Sequence, residues 1–348
     1  MGESIGGIQA EEEWLPVADG TKLYLRRWMI PQVDRKQKSI AAVLRRGRPR
    51  QSQRIRGILH IIHGMAEYGE RYYPLAQRLC EQGIVVWAAD MRGHGRTADP
   101  AYNDPGLGGQ LGHCRDQDAI VTIISDIHQI ILHGKEIYPD LPVFLLGHSW
   151  GSFLAQAYMQ AHGEELAGCM LSGSRGPGGL KMLFARPILM GIAALSGSRK
   201  ASALSYMLVD GPYSASFKPK RTFFDWLSRD AEMVDNYIAD PLCGYRCSSG
   251  FYRDLIRLLR QIHKPQALAK IPQNLPIYVF SGNADPVGEM GTSPTKLVEA
   301  LKKRQVTDLE FVLYPGARHE TLNETNRDEV MNDLIDWIDR HCAVNGKS

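Results

Sequence analysis

No stretch of this 348-residue sequence approaches the roughly 18–20 consecutive apolar residues of a membrane-spanning helix, so none is expected. Charge of one sign is scarce as well: the net charge is only +3, too small to argue for a nucleic-acid surface. The six cysteines (Cys80, Cys114, Cys169, Cys243, Cys247 and Cys342) are scattered. Cys243 and Cys247 are neighbours, but one C-x-x-x-C without a second pair is neither a disulfide framework nor a zinc signal. The opening residues, MGESIGGIQAEEEW, lack the basic and apolar regions of a secretory signal. Met1-Gly2 is followed by Gly6, where a myristoylation signal wants Ser or Thr. These absences lead us to expect a cytoplasmic protein with no metal and no nucleic-acid partner. The apolar fraction of 44% and charged fraction of 23% are those of a soluble globular chain. Its length suits one large α/β domain with an insertion, or two ordinary domains.

What is present centres on Leu141–Met159, LPVFLLGHSWGSFLAQAYM. Val143–Leu146 is a short apolar run; Gly147-His148-Ser149-Trp150-Gly151 interrupts it; Leu154, Tyr158 and Ala161 follow at helical spacing. The stretch therefore predicts strand, sharp turn and helix, with a serine at the turn. G-x-S-x-G is the nucleophile-elbow pattern, whose glycines permit a strained turn that lifts the serine hydroxyl clear of the sheet. Such a pentapeptide also arises by chance, and its serine is then a plain turn residue. Partners elsewhere must decide.

On the amino-terminal side, Glu13–Val17 and Lys22–Met29 predict two strands joined by a D-G turn. Residues 31–56 then carry nine basic side chains against one acid, Asp34. That composition suits a solvated loop, the commoner fate of such a run, or a weak peripheral contact with anionic lipid. Apolar strands are predicted at Ile58–Ile62, Ile84–Ala89 and Leu166–Ser172, with helices over Tyr72–Cys80 and from Gln117 onward. From Ser174 to Lys270 the pattern weakens into helical stretches such as Leu180–Leu195, Phe223–Tyr237 and Phe251–Ile262. Strands return at Pro276–Phe280 and Leu309–Tyr314. Ser293-Pro294 is expected to start a helix between them, and Val330, Leu334, Trp337 and Ile338 mark a last one. Alternating strands and helices imply a mostly parallel sheet with helices on both faces.

In such a sheet, functional groups gather beyond the carboxyl ends of strands. Four predicted strand ends carry candidates: His63-Gly64-Met65, Ser149, Asp285 and His319. A serine hydroxyl needs a base within hydrogen-bond reach, and an imidazole can take its proton and return it to the leaving group. Asp285 would hold the other ring nitrogen. Backbone N–H groups of Trp150, at the helix start, and of Met65 are candidates for holding an oxyanion. His128, His133 and His341 lie on or beside helices, where surface or packing roles are usual. Asp230, Asp235, Asp240 and Asp254 fall in the inserted stretch, where an aspartate is usually a cap or a solvated group. His63 and Glu67 are expected to shape the loop. His60 and His63, three apart on a strand, would face opposite sides and make no metal pair.

The chain resembles the α/β-hydrolases of the monoacylglycerol lipase and lysophospholipase type, a group with serine aminopeptidase-like members. The carriers are H-G-M-A-E at 63–67 with Arg71-Tyr72, D-M-R-G-H-G at 90–95, G-H-S-W-G at 147–151, D-P-V at 285–287, and His319. The resemblance implies a triad of Ser149, Asp285 and His319, with oxyanion donors at Met65 and Trp150. Gly147, Gly151, His63 and Gly64 would shape elbow and loop. It implies a carboxylic ester hydrolase acting on a small acyl-ester or lipid substrate, with no cofactor. A serine aminopeptidase is the alternative, and it would need an amine anchor such as Glu232 or Asp235. A non-catalytic binding protein on the same fold is the third reading. Where this family often has Met after the nucleophile, the chain has Trp150, expected to narrow the acyl-pocket mouth. The expected fold is an α/β-hydrolase core over 1–173 and 271–348, with a helical cap at 174–270 after the sixth core strand.

Overall fold

The computed structural model describes residues 3–5, 7–31, 54–178, 187, 191–192 and 197–345. Most of the basic stretch 31–56 and most of the predicted helix 180–195 lie outside the described residues. A nine-stranded sheet organises the chain. Its strands are β1 (Glu3–Ile5), β2 (Ile8–Pro16), β3 (Lys22–Met29), β4 (Gly57–Ile62), β5 (Ile84–Asp90), β6 (Val143–His148), β7 (Gly168–Ser172), β8 (Ile277–Gly282) and β9 (Leu309–Tyr314). The order across the sheet is β1-β2-β3-β5-β4-β6-β7-β8-β9. β1, β2 and β3 are joined antiparallel, as is β3 to β5; every pairing from β5 through β9 is parallel.

Because side chains alternate across a strand, the parallel strands feed two cores. Ile58, Ile62 and Leu145 face helices α2 (Ala119–Ile137) and α3 (Trp150–His162). Leu59, Ile61, Phe144 and Leu146 face α1 (Tyr73–Glu81) and the carboxyl-terminal helix. Burial on both faces explains the near-continuous apolar runs of β4 to β6. From β4 the chain steps to β5 on one side and then returns to β6 on the other. The carboxyl ends of β4 and β6 therefore border a topological switch point, the usual crevice for a site.

Between β7 and β8 the described residues add no strand to the sheet. They form α4 (Ala203–Val209), α5 (Gly211–Ser214), α6 (Ala231–Ala239), α7 (Ser249–Ile262) and α8 (Pro265–Leu268). Phe251, Leu255, Leu258 and Ile262 of α7 turn inward, and α7 packs on α3 and α2. After β8 come α9 (Thr292–Lys303), β9 and α10 (Arg327–Asn345). Among the described residues no helix is long and apolar enough to cross a membrane.

Four local expectations are corrected. β2 starts at Ile8, not Glu13, because Glu11 and Glu12 pair across the strands with Arg27 and Arg26. β1 precedes it, so the helical insertion follows the seventh strand rather than the sixth. Phe223–Tyr237 is not one helix: Asp225 accepts the Arg221 and Thr222 N–H groups in a turn. Asp230 then caps α6 by accepting from Glu232 and Met233 N–H. Finally, α9 begins at Thr292, leaving Ser293 inside the helix, where its hydroxyl accepts the Gly176 N–H at 3.2 Å.

Candidate active site

Ser149 sits between β6 and α3 with φ 52° and ψ −120°, a conformation that costs an L-residue strain. The neighbouring glycines make the turn possible. A β-carbon on Gly147 would lie 2.4 Å from the Gly151 carbonyl oxygen, and one on Gly151 only 2.2 Å from that of Ile62. The elbow is thus pressed onto the end of β4, and Gly64 in the loop after β4 lies beside it. A β-carbon there would meet the Ser149 Cβ at 3.4 Å.

The structure brings Ser149, His319 and Asp285 together from three strand ends. His319 Nε2 is 2.8 Å from Ser149 Oγ. His319 Nδ1 donates to Asp285 Oδ2 at 3.0 Å. Asp285 is fully buried and also accepts the Val287 N–H at 2.8 Å and the Ser281 hydroxyl at 3.3 Å. Burial by itself pushes the His319 imidazole down, but the charge and hydrogen bond of Asp285 outweigh it, and the net shift is upward. A serine so placed can pass its proton to the ring while the carboxylate favours the imidazolium that forms. The His319 loop is fixed from the inserted helical segment. Its own N–H donates to the Trp226 carbonyl at 3.3 Å, and the Glu320 N–H donates to that of Leu227 at 2.8 Å.

No hydrogen bond from the Met65 or Trp150 N–H is found among the described residues, as a pair of oxyanion donors requires. The loop carrying Met65 is held by buried polar groups. His63 Nδ1 donates to the Gly64 carbonyl at 2.7 Å, and its Nε2 accepts the Met91 N–H at 2.9 Å. That pattern needs a neutral ring, and burial lowers His63 to about 4. Glu67 accepts the Gly64 N–H and, at 2.9 Å, the Tyr72 hydroxyl.

Sequence reasoning missed the group that joins the two loops. Arg71 pairs with Glu67 and binds both carboxylate oxygens of Glu320 at 2.9 and 2.7 Å. Burial alone would raise the Glu320 carboxyl; the Arg71 guanidinium outweighs it and holds it well below the usual range. In the sequence Arg71 is legible only as part of the H-G-M-A-E…R-Y motif. Its link to Glu320, 249 residues away, leaves no local signal.

Other candidates are not drawn in. The Trp150 indole stacks on His94 at 4.8 Å and lies 5.2 Å from the Phe251 ring. It is not among the residues lining the cleft over Ser149, contrary to the expectation that it narrows the mouth. It lines instead a second, small pocket with Ile123, Leu154 and Phe251. Glu232 and Asp235 are exposed, and Asp235 pairs with Arg221 at 2.6 Å, so neither is an anchor in the cleft. His128, His162 and Glu165 form a group with metal-ligand spacing, with Lys135 3.7 Å from Glu165. It lies beside the carboxyl end of α3, a helix length away from Ser149.

Ser149 and His319 open into a cleft of about 450 Å³ beneath the inserted helices. It is lined by the 64–67 loop, His148 and Glu320, and by aromatic side chains including Phe224, Trp226, Tyr237, Tyr245 and Tyr252. A mostly apolar concavity with a few convergent polar groups is the form of a small-molecule site.

A strained serine elbow at the switch point of a parallel sheet, with base and acid following from later strands, is the arrangement of an α/β-hydrolase. The family model described as serine aminopeptidase, S33, matches residues 53–326, and the chain belongs to this family. The chain is similar to a monoacylglycerol lipase of Mycolicibacterium smegmatis, 30% identical over 287 residues, covering 82% of this chain and 89% of that one. It is 26% identical over 295 residues to the human monoglyceride lipase, covering 84% and 85%. Among solved structures, a thermostable carboxyl esterase from Bacillus coagulans in complex with glycerol superimposes with a TM-score of 0.79 at 26% identity. That match covers 96% of this chain and 99% of that one.

Proposed function

We propose that the chain is a serine hydrolase that cleaves carboxylic esters through an acyl-enzyme on Ser149. The observation that carries this reading is the hydrogen-bonded line from Ser149 through His319 to buried Asp285, opening into one cleft. In this mechanism Ser149 Oγ attacks the ester carbonyl carbon and gives its proton to His319 Nε2. The Met65 and Trp150 N–H groups hold the tetrahedral oxyanion. His319 then protonates the departing alcohol. Water, deprotonated by the same ring, releases the acid and restores the serine. Asp285 keeps the ring oriented throughout and is never itself protonated. The chemistry needs no cofactor.

Residues 174–270 act as a cap that selects the substrate. The lipase relatives favour a monoacylglycerol or another single-chain acyl ester. Cytoplasmic placement belongs to the same proposal, since all six cysteines are free thiols, the state a reducing compartment maintains. So does a weak contact of the basic stretch 31–56 with anionic lipid, which charge-neutralised variants would test by vesicle sedimentation. The mechanism itself is tested by p-nitrophenyl butyrate hydrolysis and by fluorophosphonate labelling. Both are expected in the wild type and absent in Ser149→Ala; a variant that kept near wild-type turnover would overturn the assignment.

A further inference from the structure

We propose that the cleft over Ser149 contains a recognition site for an ammonium group on the substrate, formed by the Asp210 carboxylate and the rings of Tyr245 and Tyr252. The inference rests on the ester-hydrolase reading above and assigns that site a substrate class.

Asp210 joins α4 to α5 and lines the cleft while being only 3% exposed. A buried carboxylate normally has a cationic partner, because leaving one unpaired costs several kcal/mol. The other two carboxylates of this cleft, Glu67 and Glu320, share Arg71. Asp210 pairs with no cation among the described residues. Its side-chain bond is one oxygen accepting the Tyr252 hydroxyl at 2.8 Å. Burial, with little to offset it, pushes the carboxyl up to about 7. A strongly perturbed acid in a cleft, with no role in the triad, marks a group awaiting a ligand.

The surroundings say which ligand. The hydroxyls of Tyr237, Tyr245 and Tyr252 are already donated, to the Ala66 carbonyl, the Gly93 carbonyl and Asp210. These rings therefore contribute π-surface to the lining rather than polar groups. A carboxylate set among aromatic rings is complementary to an ammonium, which it attracts by charge and the ring faces by their quadrupoles. A neutral hydroxyl could bond to Asp210 but would gain nothing from the rings. Of the acids in the inserted segment, Asp210 rather than Glu232 or Asp235 is thus the one placed to meet a cation.

An ammonium can ride on the alcohol or on the acyl part of an ester, and paired substrates separate the two. The first pair is butyrylcholine against its neutral isostere 3,3-dimethylbutyl butyrate. The second is the p-nitrophenyl ester of 6-aminohexanoate against that of heptanoate. Measured near pH 8, kcat/KM should favour the cationic member of at least one pair by about tenfold. In Asp210→Asn that ratio should fall to about one. Equal rates within both pairs, or a preference that survives Asp210→Asn, would overturn the proposal while leaving the esterase reading intact. Loss of all ester turnover together with absent Ser149 labelling would instead sink the esterase reading. Calorimetric titration of wild-type protein with tetramethylammonium chloride, against sodium chloride at equal ionic strength, keeps the test open if the variant fails to fold. Saturable millimolar binding is expected, and its absence counts against the site.

Discussion

Gly151 and Ile62 approach so closely that the glycine hydrogen facing the Ile62 carbonyl cannot be replaced by a methyl group; the added carbon would lie 2.2 Å from that oxygen. Backbone, not a flexible side chain, is what it would strike. Gly151→Ala should therefore destabilise the protein by about 3 kcal/mol and displace Ser149 from His319. Thermal melts should show a lowered Tm, and fluorophosphonate labelling of the surviving folded fraction should slow sharply. An unchanged Tm would mean that the elbow is not packed on β4 as described.

Removing the nucleophile should act on chemistry alone. Ser149→Ala is expected to lower kcat on the order of 10⁶-fold, by the subtilisin precedent. Because alanine tolerates φ 52° no better than serine, its Tm should stay near that of the wild type. Esterase assay and melting curve together separate this outcome from misfolding.

The pH–rate profile carries the signature of Asp285. His319 must be neutral to accept the serine proton, and its pKa is raised above the ordinary 6.5. Activity should therefore fall as pH drops through a value above 6.5 in kcat/KM. In Asp285→Asn the raising charge is gone while burial remains, so the acid limb should move to lower pH. kcat should fall on the order of 10⁴-fold. An acid limb that did not move would rule out Asp285 as the group that sets the base.

Arg71 stands between two buried carboxylates. Arg71→Met would leave Glu67 and Glu320 facing each other without their shared cation, an arrangement that costs about 3–5 kcal/mol. Arg71→Lys should recover part of this through charge but not the paired bonds to Glu320. Urea denaturation of the three proteins should rank wild type, lysine and methionine in that order.

Acid should unfold this protein early. Burial lowers His60 and His94 to about 3, and His63 and His148 to about 4. Unfolded, each would titrate near 6.5. Below that value the unfolded state binds the extra protons, so stability present above 6.5 is lost as pH falls toward the folded values. At about 1.4 kcal/mol per histidine per pH unit, the four together cost about 5–6 kcal/mol for each unit below 6.5, which exhausts a stability of about 8 kcal/mol near pH 5. Circular dichroism should place the acid midpoint near pH 5. Neither ring nitrogen of His60 has a partner among the described residues, so His60→Leu should shift the midpoint downward.

What the sequence made legible follows from how local each signal is. β9 and β3 could be read to the residue, since Leu309–Tyr314 and Lys22–Met29 are bounded by turn residues. Ser149, Asp285 and His319 stood out because each lies in a polar turn just after an apolar run. The β2 strand was cut short because E-E-E reads as solvent-facing until Arg26 and Arg27 are found opposite. The helix expected over Phe223–Tyr237 rests on a weak pattern, and Asp225 instead closes a turn there. Asp210 was invisible. Nothing in its neighbourhood separates a buried acid from an ordinary helix-end aspartate, and its meaning comes from Tyr252 and a cleft assembled from distant segments.

The two backbone bonds from the His319 loop to Trp226 and Leu227 tie the proposed catalytic base to the inserted segment that we propose meets the substrate. On that proposal, specificity and rate are not separable modules in this chain. Grafting the 174–270 segment of a relative onto this core would bring new carbonyl positions for the histidine loop along with new pocket walls. Substrate range can drift freely only where Trp226 and Leu227 keep their place.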